Sequence, residues 1–476
     1  MQATWERIAR WSLLLAFCLL CPRASTAAAE PARVDRVDVV AANGSVGLDW
    51  PRVPEASGYR IYWSTSPGVV PGRAAHLDSR EPACVHHGLR NGTRYHYVVS
   101  PLIGGREGAP SPEVSATPAG AWALEELGAG DFDDVLTGRR VPRVPIKDRI
   151  HVHLFAEGYQ EEDLPTLHDG ASHADHRAND VDRWVDEVFT IEPYRHFRSA
   201  FVVWYLPRAS AHHLGQGETA LGVGVDDGGV GDVQASAGPL FAALDGSGQD
   251  AFAFPLTESS RNHVAAILLF DPQAGRAGFS GVSLTLNNPA NRAQTLPCAF
   301  GIDHAHEFTH AFAGLRDEYL EDRNRPPVAR ETWNIAPSNR CDELPWAHLL
   351  AGRGVNSTPH LVGAFGSPQH GFHPELLCLM NGMHDNGRYY CPAGPDGAPD
   401  LGMRVNRLCN FCREITTFRI FERSGRLGDT GTYERWKANY RAPFYRRLGF
   451  QTPPRLPQAV RCPDQPARPV FEDCTS

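Results

Sequence analysis

The sequence predicts a multi-domain chain: an all-β sandwich followed by a mixed α/β (α+β) domain. Three observations carry this. Short runs of alternating apolar and polar residues, parted by Gly, Pro, Asn and Asp, fill residues 30–118. Beyond residue 149 the pattern changes, with continuous apolar runs such as 263–270 interleaved with helical stripes. At 476 residues the chain is too long for one ordinary domain, and its 42% hydrophobic residues suffice for a real core.

Residues 1–29 read as a secretory signal peptide. Arg7 and Arg10 precede an apolar run over 11–21, and Ala27-Ala28-Ala29 offers a small-residue cleavage site. No later apolar stretch nears about 18 residues, so a soluble exported protein, secreted or periplasmic and without stable membrane insertion, is expected. In 30–118, Val46-Gly47-Leu48-Asp49-Trp50, Gly58-Tyr59-Arg60-Ile61-Tyr62-Trp63 and Tyr95-His96-Tyr97-Val98-Val99-Ser100 read as strands. Their spacing suits a sandwich of about seven strands. His86 and His87 are adjacent and read as loop histidines.

Residues 119–148 form a linker, with a short helix expected over 121–127 and an extended segment around Pro142 and Pro145. The main domain spans 149–427. Within it, 180–188 has helical spacing, with Val181, Trp184, Val185 and Val188 on one stripe. The Gly-rich stretch 226–232 reads as a loop rather than a calcium site, because it lacks a bidentate glutamate at the right distance. A helix after Asn410, through Ile415, Phe418 and Phe421, closes the domain, and 428–476 is a Pro- and Arg-rich tail.

Net charge is −9 and no basic block exists, which excludes a nucleic-acid surface. Eight cysteines lie in the second half of the chain: Cys298, Cys341, Cys378, Cys391, Cys409, Cys412, Cys462 and Cys474. Their even number suits disulfides in an oxidising compartment, with Cys84 left over. Cys409-x-x-Cys412 has no second Cys-x-x-Cys to complete a zinc site, so a plain structural role is expected.

The chemistry is concentrated in His306-Glu307-Phe308-Thr309-His310. On a helix, residues four apart share a face, so both imidazoles reach one metal ion. Glu307 is offset by about 100° and projects toward a metal-bound water. Asp303 is the expected N-cap and Gly314 the expected C′ residue. A catalytic zinc needs a third protein ligand and an open position. The chain turns at Gly314 and reaches Asp317 and Glu318; Asp317 is favoured as third ligand, with Glu318 the other candidate. Such a site activates water toward a pKa of about 7, with Glu307 as the general base that later protonates the leaving amine. Tyr319 is expected to pack rather than bind the oxyanion.

Two resemblances follow from the residues. Residues 30–118 resemble a fibronectin type III domain, through Trp50, Tyr59 and Leu89 with Asn91-Gly92-Thr93-Arg94-Tyr95. Tyr95 would be its tyrosine-corner residue. Residues 149 to about 420 resemble the IgA-specific metalloendopeptidase family. The matching pieces are Arg149-Ile150-His151-Val152-His153-Leu154-Phe155-Ala156-Glu157-Gly158-Tyr159, then Glu192-Pro193-Tyr194, Phe197 and Phe201-Val202-Val203-Trp204. The helix motif follows with Leu315-Arg316-Asp317-Glu318-Tyr319, then Gly363-Ala364-Phe365, Cys378-Leu379-Met380 and Phe411-Cys412-Arg413-Glu414.

The second resemblance implies a zincin, metzincin-like fold and a zinc endopeptidase with one catalytic Zn²⁺. It implies His306, His310 and Asp317 as ligands and Glu307 as base. Met380 would be the Met-turn residue beneath the ligands, whereas Met383 reads as ordinary core. The Gly-x-x-Asp spacing copies the turn of metzincin-like and aspzincin-like enzymes, with Gly314 one residue later than in those families. The stretch 275–285 would offer a sheet edge to an extended peptide. The chain departs from the family at Thr309, where glycine is common, and over the Gly-rich stretch 214–248.

The leading expectation is therefore an exported zinc endopeptidase acting on proteins or peptides, with the fibronectin type III module as spacer or docking surface. Two rivals stand beside it: an exported binding or adhesion protein with an inactive zincin scaffold, and a zinc amidase acting on a non-protein substrate.

Overall fold

The computed structural model describes residues 32–133, 140–141, 143–170, 179–213, 216–217, 219–220, 225–226, 229–230, 262–271, 276–277, 303–316, 318, 333–338, 340, 343–347, 349, 364–367, 371–375, 378–380, 408–425 and 433–436. The expected signal peptide and the Pro-rich tail from 437 onward lie outside them.

The first domain is a sandwich of two antiparallel sheets. One contains β1 (Asp38–Ala42), β2 (Ser45–Asp49) and β5 (Ala83–His86) in the order β1-β2-β5. The other contains β3 (Ala56–Ser64), β4 (Ala75–Ser79), β6 (Tyr95–Ile103) and β7 (Arg106–Glu107) in the order β4-β3-β6-β7, with β8 (Val114–Ala116) also pairing β6. Val46, Leu48, Trp50, Tyr59, Ile61, Tyr97 and Val99 fill the space between them. Trp50 and Tyr59 meet edge to face at 5.1 Å. The Tyr95 hydroxyl accepts the backbone N–H of Arg90 at 3.0 Å, which is the tyrosine corner expected from the sequence. His86 corrects the loop expectation: it ends β5, is buried, and lies 3.2 Å from the Tyr97 hydroxyl.

The second domain is built on a five-stranded mixed sheet. Its strands are β9 (Ala123–Leu127), β12 (Ile150–Glu157), β13 (Phe201–Leu206), β16 (His263–Asp271) and β17 (Arg276–Ala277), in the order β17-β16-β12-β13-β9. Two hairpins interrupt this series: β10 (Phe132–Asp133) with β11 (Arg140–Val141), and β14 (Val225–Asp226) with β15 (Gly229–Val230). The second falls in the stretch read as a plain loop. β12 runs parallel to β13 and β16, whereas β9 and β17 are antiparallel edges. Arg276–Ala277 thus places the start of the 275–285 stretch at a sheet edge; the remainder lies outside the described residues.

Strand β9 corrects two expectations. Residues 123–127 form a strand rather than a helix, and they belong to the second domain's sheet rather than to a free linker. Ala-Leu-Glu-Glu-Leu favours a helix by local propensity. Pairing with β13 and burial of Leu124 and Leu127 override it.

The α-helices include α1 (Leu164–Leu167), α2 (Asp180–Thr190), α3 (Asp303–Ala313) and α4 (Asn410–Arg423). The stripe Val181, Trp184, Val185 and Val188 is buried on α2, as its spacing implied, and Asn179 caps the helix by accepting the Asp182 N–H. Ile415, Phe418 and Phe421 are buried on α4. A last hairpin pairs β18 (Phe365–Ser367) with β19 (Gly371–His373).

Alternation along the parallel strands assigns the two faces of the sheet. Val152, Leu154, Val203, Val264 and Ala266 pack with α2, α3 and α4. Phe155, Val202, Trp204 and Ile267 pack instead with Val40, Ala42 and Ala83 of the first domain. The sandwich therefore supplies the layer that covers the second face of the sheet. Gly47 permits this approach: a Cβ there would meet Leu124 Cδ2 at 2.6 Å. A buried ion pair crosses the same junction, with Arg149 donating to Asp49 at 2.6 Å and both side chains fully buried. Arg143 also bonds Asp38 and Asp49. Among the described residues no helix is long and apolar enough to cross a membrane.

Candidate metal centre

Helix α3 is held by its apolar face. Phe308 meets Trp184 at 5.1 Å and Tyr194 at 5.4 Å, and Phe312 meets Tyr194 at 5.5 Å. Thr309 bonds the Ala305 carbonyl at 2.6 Å and lies 3.0 Å from the Tyr194 hydroxyl. Asp303 is the first helical residue rather than the cap, a shift of one position. Gly314 ends the helix as expected, with φ +69° and its N–H on the His310 carbonyl at 3.0 Å.

His306 and His310 project from another face of the same helix. The Nδ1 of His306 donates to the Leu379 carbonyl at 2.8 Å, and that of His310 to the Leu315 carbonyl at 2.7 Å. A ring held in that tautomer directs its Nε2 away from the carbonyl, and the two Nε2 atoms stand 3.0 Å apart. Two acceptors at that distance repel unless a proton or cation lies between them. Tetrahedral zinc with Zn–N of about 2.05 Å places two nitrogens about 3.3 Å apart, so a small opening admits the ion. Carbonyl acceptors on the far nitrogens are the partners that orient metal-binding histidines. The pair fits a zinc ion.

The other expected site residues fall as follows. Glu307 lies on α3 between the histidines, with its side chain outside the described residues. Asp317, Tyr319 and Met383 are also outside them. Met380 is buried, and its carbonyl accepts the Glu318 N–H at 2.7 Å. The turn 378–380 thus touches both the His306 ring and the segment after Gly314. Asn334 fixes that segment too, exchanging bonds with the Arg316 backbone at 2.9 Å and 2.7 Å.

Glu318 is directed elsewhere than the histidines. Its Oε1 accepts from Asn334 at 2.9 Å and from the Cys412 thiol at 3.0 Å. Burial pushes its carboxyl well above the ordinary carboxylate range. Around it lie Cys378, Cys409 and Cys412, a grouping the sequence did not disclose. These three are free thiols, which corrects the expectation that they join disulfides; Cys84, left over in that expectation, is free as well. The other five cysteines of the second domain and tail lie outside the described residues. The one signal in the sequence was Cys409-x-x-Cys412 at the start of a helix; its remaining neighbours come from distant segments.

No known protein-family profile matches the chain. Its structural neighbours include a fibronectin type III-like protein from Clostridium thermocellum, with 24% identity over 20% of this chain and 98% of that one, at a TM-score of 0.17. The FN1–FN3 domains of chicken CNTN1 show 22% identity over 18% of this chain and 31% of that one, at 0.17. A fibronectin type III domain from the human KIAA0970 protein shows 18% identity over 18% and 72%, at 0.16. With TM-scores this low the likenesses add no weight of their own. The fibronectin type III-like character of the first domain rests on its strand order and its tyrosine corner.

Proposed function

We propose that this protein is an exported zinc endopeptidase with a fibronectin type III-like module, resembling the IgA-specific metalloendopeptidases over its zincin-type second domain. The observation that carries the reading is the His306–His310 pair, whose Nε2 atoms converge to 3.0 Å while both Nδ1 atoms are held by carbonyls. His306, His310 and Asp317 would hold the zinc. Glu318 faces Cys412 and Asn334, which favours Asp317 of the two acidic candidates.

When bound, the zinc supplies Lewis acidity toward a scissile carbonyl and toward water. Glu307 then accepts a proton from the water at its carboxylate and returns it to the leaving nitrogen. Neither imidazole competes for that role, because each Nε2 lone pair would be committed to the zinc while each Nδ1–H is held by a backbone oxygen. The Leu379 and Leu315 carbonyls keep both rings in one orientation. The edge strand β17 supports an extended peptide adding to the sheet.

Replacing Glu307→Gln tests the reading. Zinc content is expected to stay near that of the native protein, while hydrolysis of a denatured-protein digest falls by roughly 10²–10⁴-fold. Turnover that survives this substitution removes the mechanism. Native protein without zinc favours the binding scaffold, and a zinc protein inert toward all peptides favours the amidase.

A further inference from the structure

A second set of ligand-type side chains is buried near the histidine pair. Glu318, Cys378, Cys409 and Cys412 each offer one ligand atom, all within 4.8 Å of one another. None is more than 1% exposed. We infer that these four form a closed tetrahedral site for a structural zinc ion, through three thiolates and one carboxylate oxygen.

Several observations converge on this assignment. Three thiols are an odd number, so any disulfide among them strands the third beside a buried carboxylate. The Glu318 Oε2 atom is buried and has no hydrogen-bond partner; the His373 ring stands 3.8 Å away. Such an oxygen is costly to bury unless a cation compensates it. Two of the thiols, Cys378 and Cys409, accept backbone N–H groups that favour thiolate. Cys409 caps α4, its Sγ accepting the Cys412 N–H at 3.4 Å, and Cys378 Sγ accepts the Cys409 N–H at 3.2 Å. The positive end of the helix dipole adds to this.

The dimensions and the chemistry agree. Zinc with Zn–S of about 2.3 Å sets tetrahedral sulfurs about 3.8 Å apart, inside the observed envelope. Soft thiolates select zinc over magnesium or calcium, and four protein ligands leave no open position for water. Asn334 supplies a supporting hydrogen bond to the Glu318 carboxylate at 2.9 Å. The ion would tie together the start of α4, the segment after Gly314 and the turn 378–380. The last of these holds the carbonyl that orients His306.

Metal counting in the full-length protein tests this. In a His306→Ala, His310→Ala double variant with native circular dichroism, elemental analysis is expected to find about one zinc per chain. Adding Cys409→Ser and Cys412→Ser is expected to remove it. Refilling the histidine variant with Co²⁺ is expected to give thiolate-to-cobalt charge-transfer absorption. Should the cysteine variants fail to fold, wild-type protein decides. Alkylation without reductant is expected to label Cys378, Cys409 and Cys412 only after chelation. A native disulfide between any two of them overturns the site, as does a folded histidine variant without zinc. Neither result bears on Glu307, so the endopeptidase reading is judged separately.

Discussion

Thr309 shows how one side chain adjusts the helix that carries the histidine pair. A β-branched residue is a modest helix former, yet its hydroxyl bonds back to Ala305 and reaches Tyr194. Neither contact involves the imidazoles. Thr309→Gly, the residue common in the resembling family, is expected to lower stability by about 1–3 kcal/mol through lost helix propensity and a lost partner for a buried hydroxyl. Zinc content should not change. Urea unfolding with parallel metal analysis checks both, and a loss of zinc at unchanged stability would contradict the split. At this scale the histidine pair was legible, because its two members are four residues apart on one helix. The cysteine–glutamate group was not. Its members come from positions 318, 378, 409 and 412, and only the last two are close in sequence.

Elements were legible where periodicity was strong. Helices α2 and α4 and the buried strand β16 follow their patterns, since burial of one stripe or of both faces leaves a clear trace. Strand β9 departs from its own helical propensity because its neighbours, not its own residues, decide its state. The central strands carry a feature with a pH consequence. His151, His153 and His263 stack, with His151 and His263 at 5.0 Å and His153 Nε2 3.0 Å from His263 Nδ1. Burial pushes His263 down to about 4, and His151 and His153 well below the usual imidazole range. In the unfolded chain each titrates near 6.5. Above that value both states are neutral and stability is full. As pH falls from about 6.5 toward 4, the unfolded chain takes up protons that the folded strands refuse, and stability is lost. Each histidine is expected to add a slope of about 1.4 kcal/mol per pH unit. Urea midpoints measured from pH 7 to 5 should fall accordingly. A His263→Gln variant should show a flatter fall; an unchanged slope would point to other groups.

Among the described residues the two domains share a core. Phe155, Val202, Trp204 and Ile267 are covered by Val40, Ala42 and Ala83, and Asp49 meets Arg149 in the same junction. Asp49→Ala leaves the Arg149 guanidinium buried opposite nothing acidic at that contact. It is expected to cost about 3–5 kcal/mol, seen as a lower urea midpoint for both domains together. Two separate transitions in the native chain, or no shift on substitution, would contradict a common core. The fibronectin type III-like character of the first domain was legible from strand spacing and turn residues. The docking was not, because Asp49 and Arg149 are a hundred positions apart and each looks ordinary in its own segment.

The shared sheet also determines what a nick would do. A protease cutting between Asp133 and Arg140 severs the covalent path between the halves. The upstream fragment nevertheless keeps β9, whose backbone is laddered to β13 in the downstream one. Arg143 and Arg149 stay with the downstream piece and hold Asp49 of the upstream piece. Such fragments should co-elute on gel filtration and part only in denaturant, so an intact elution profile is no proof of an intact chain.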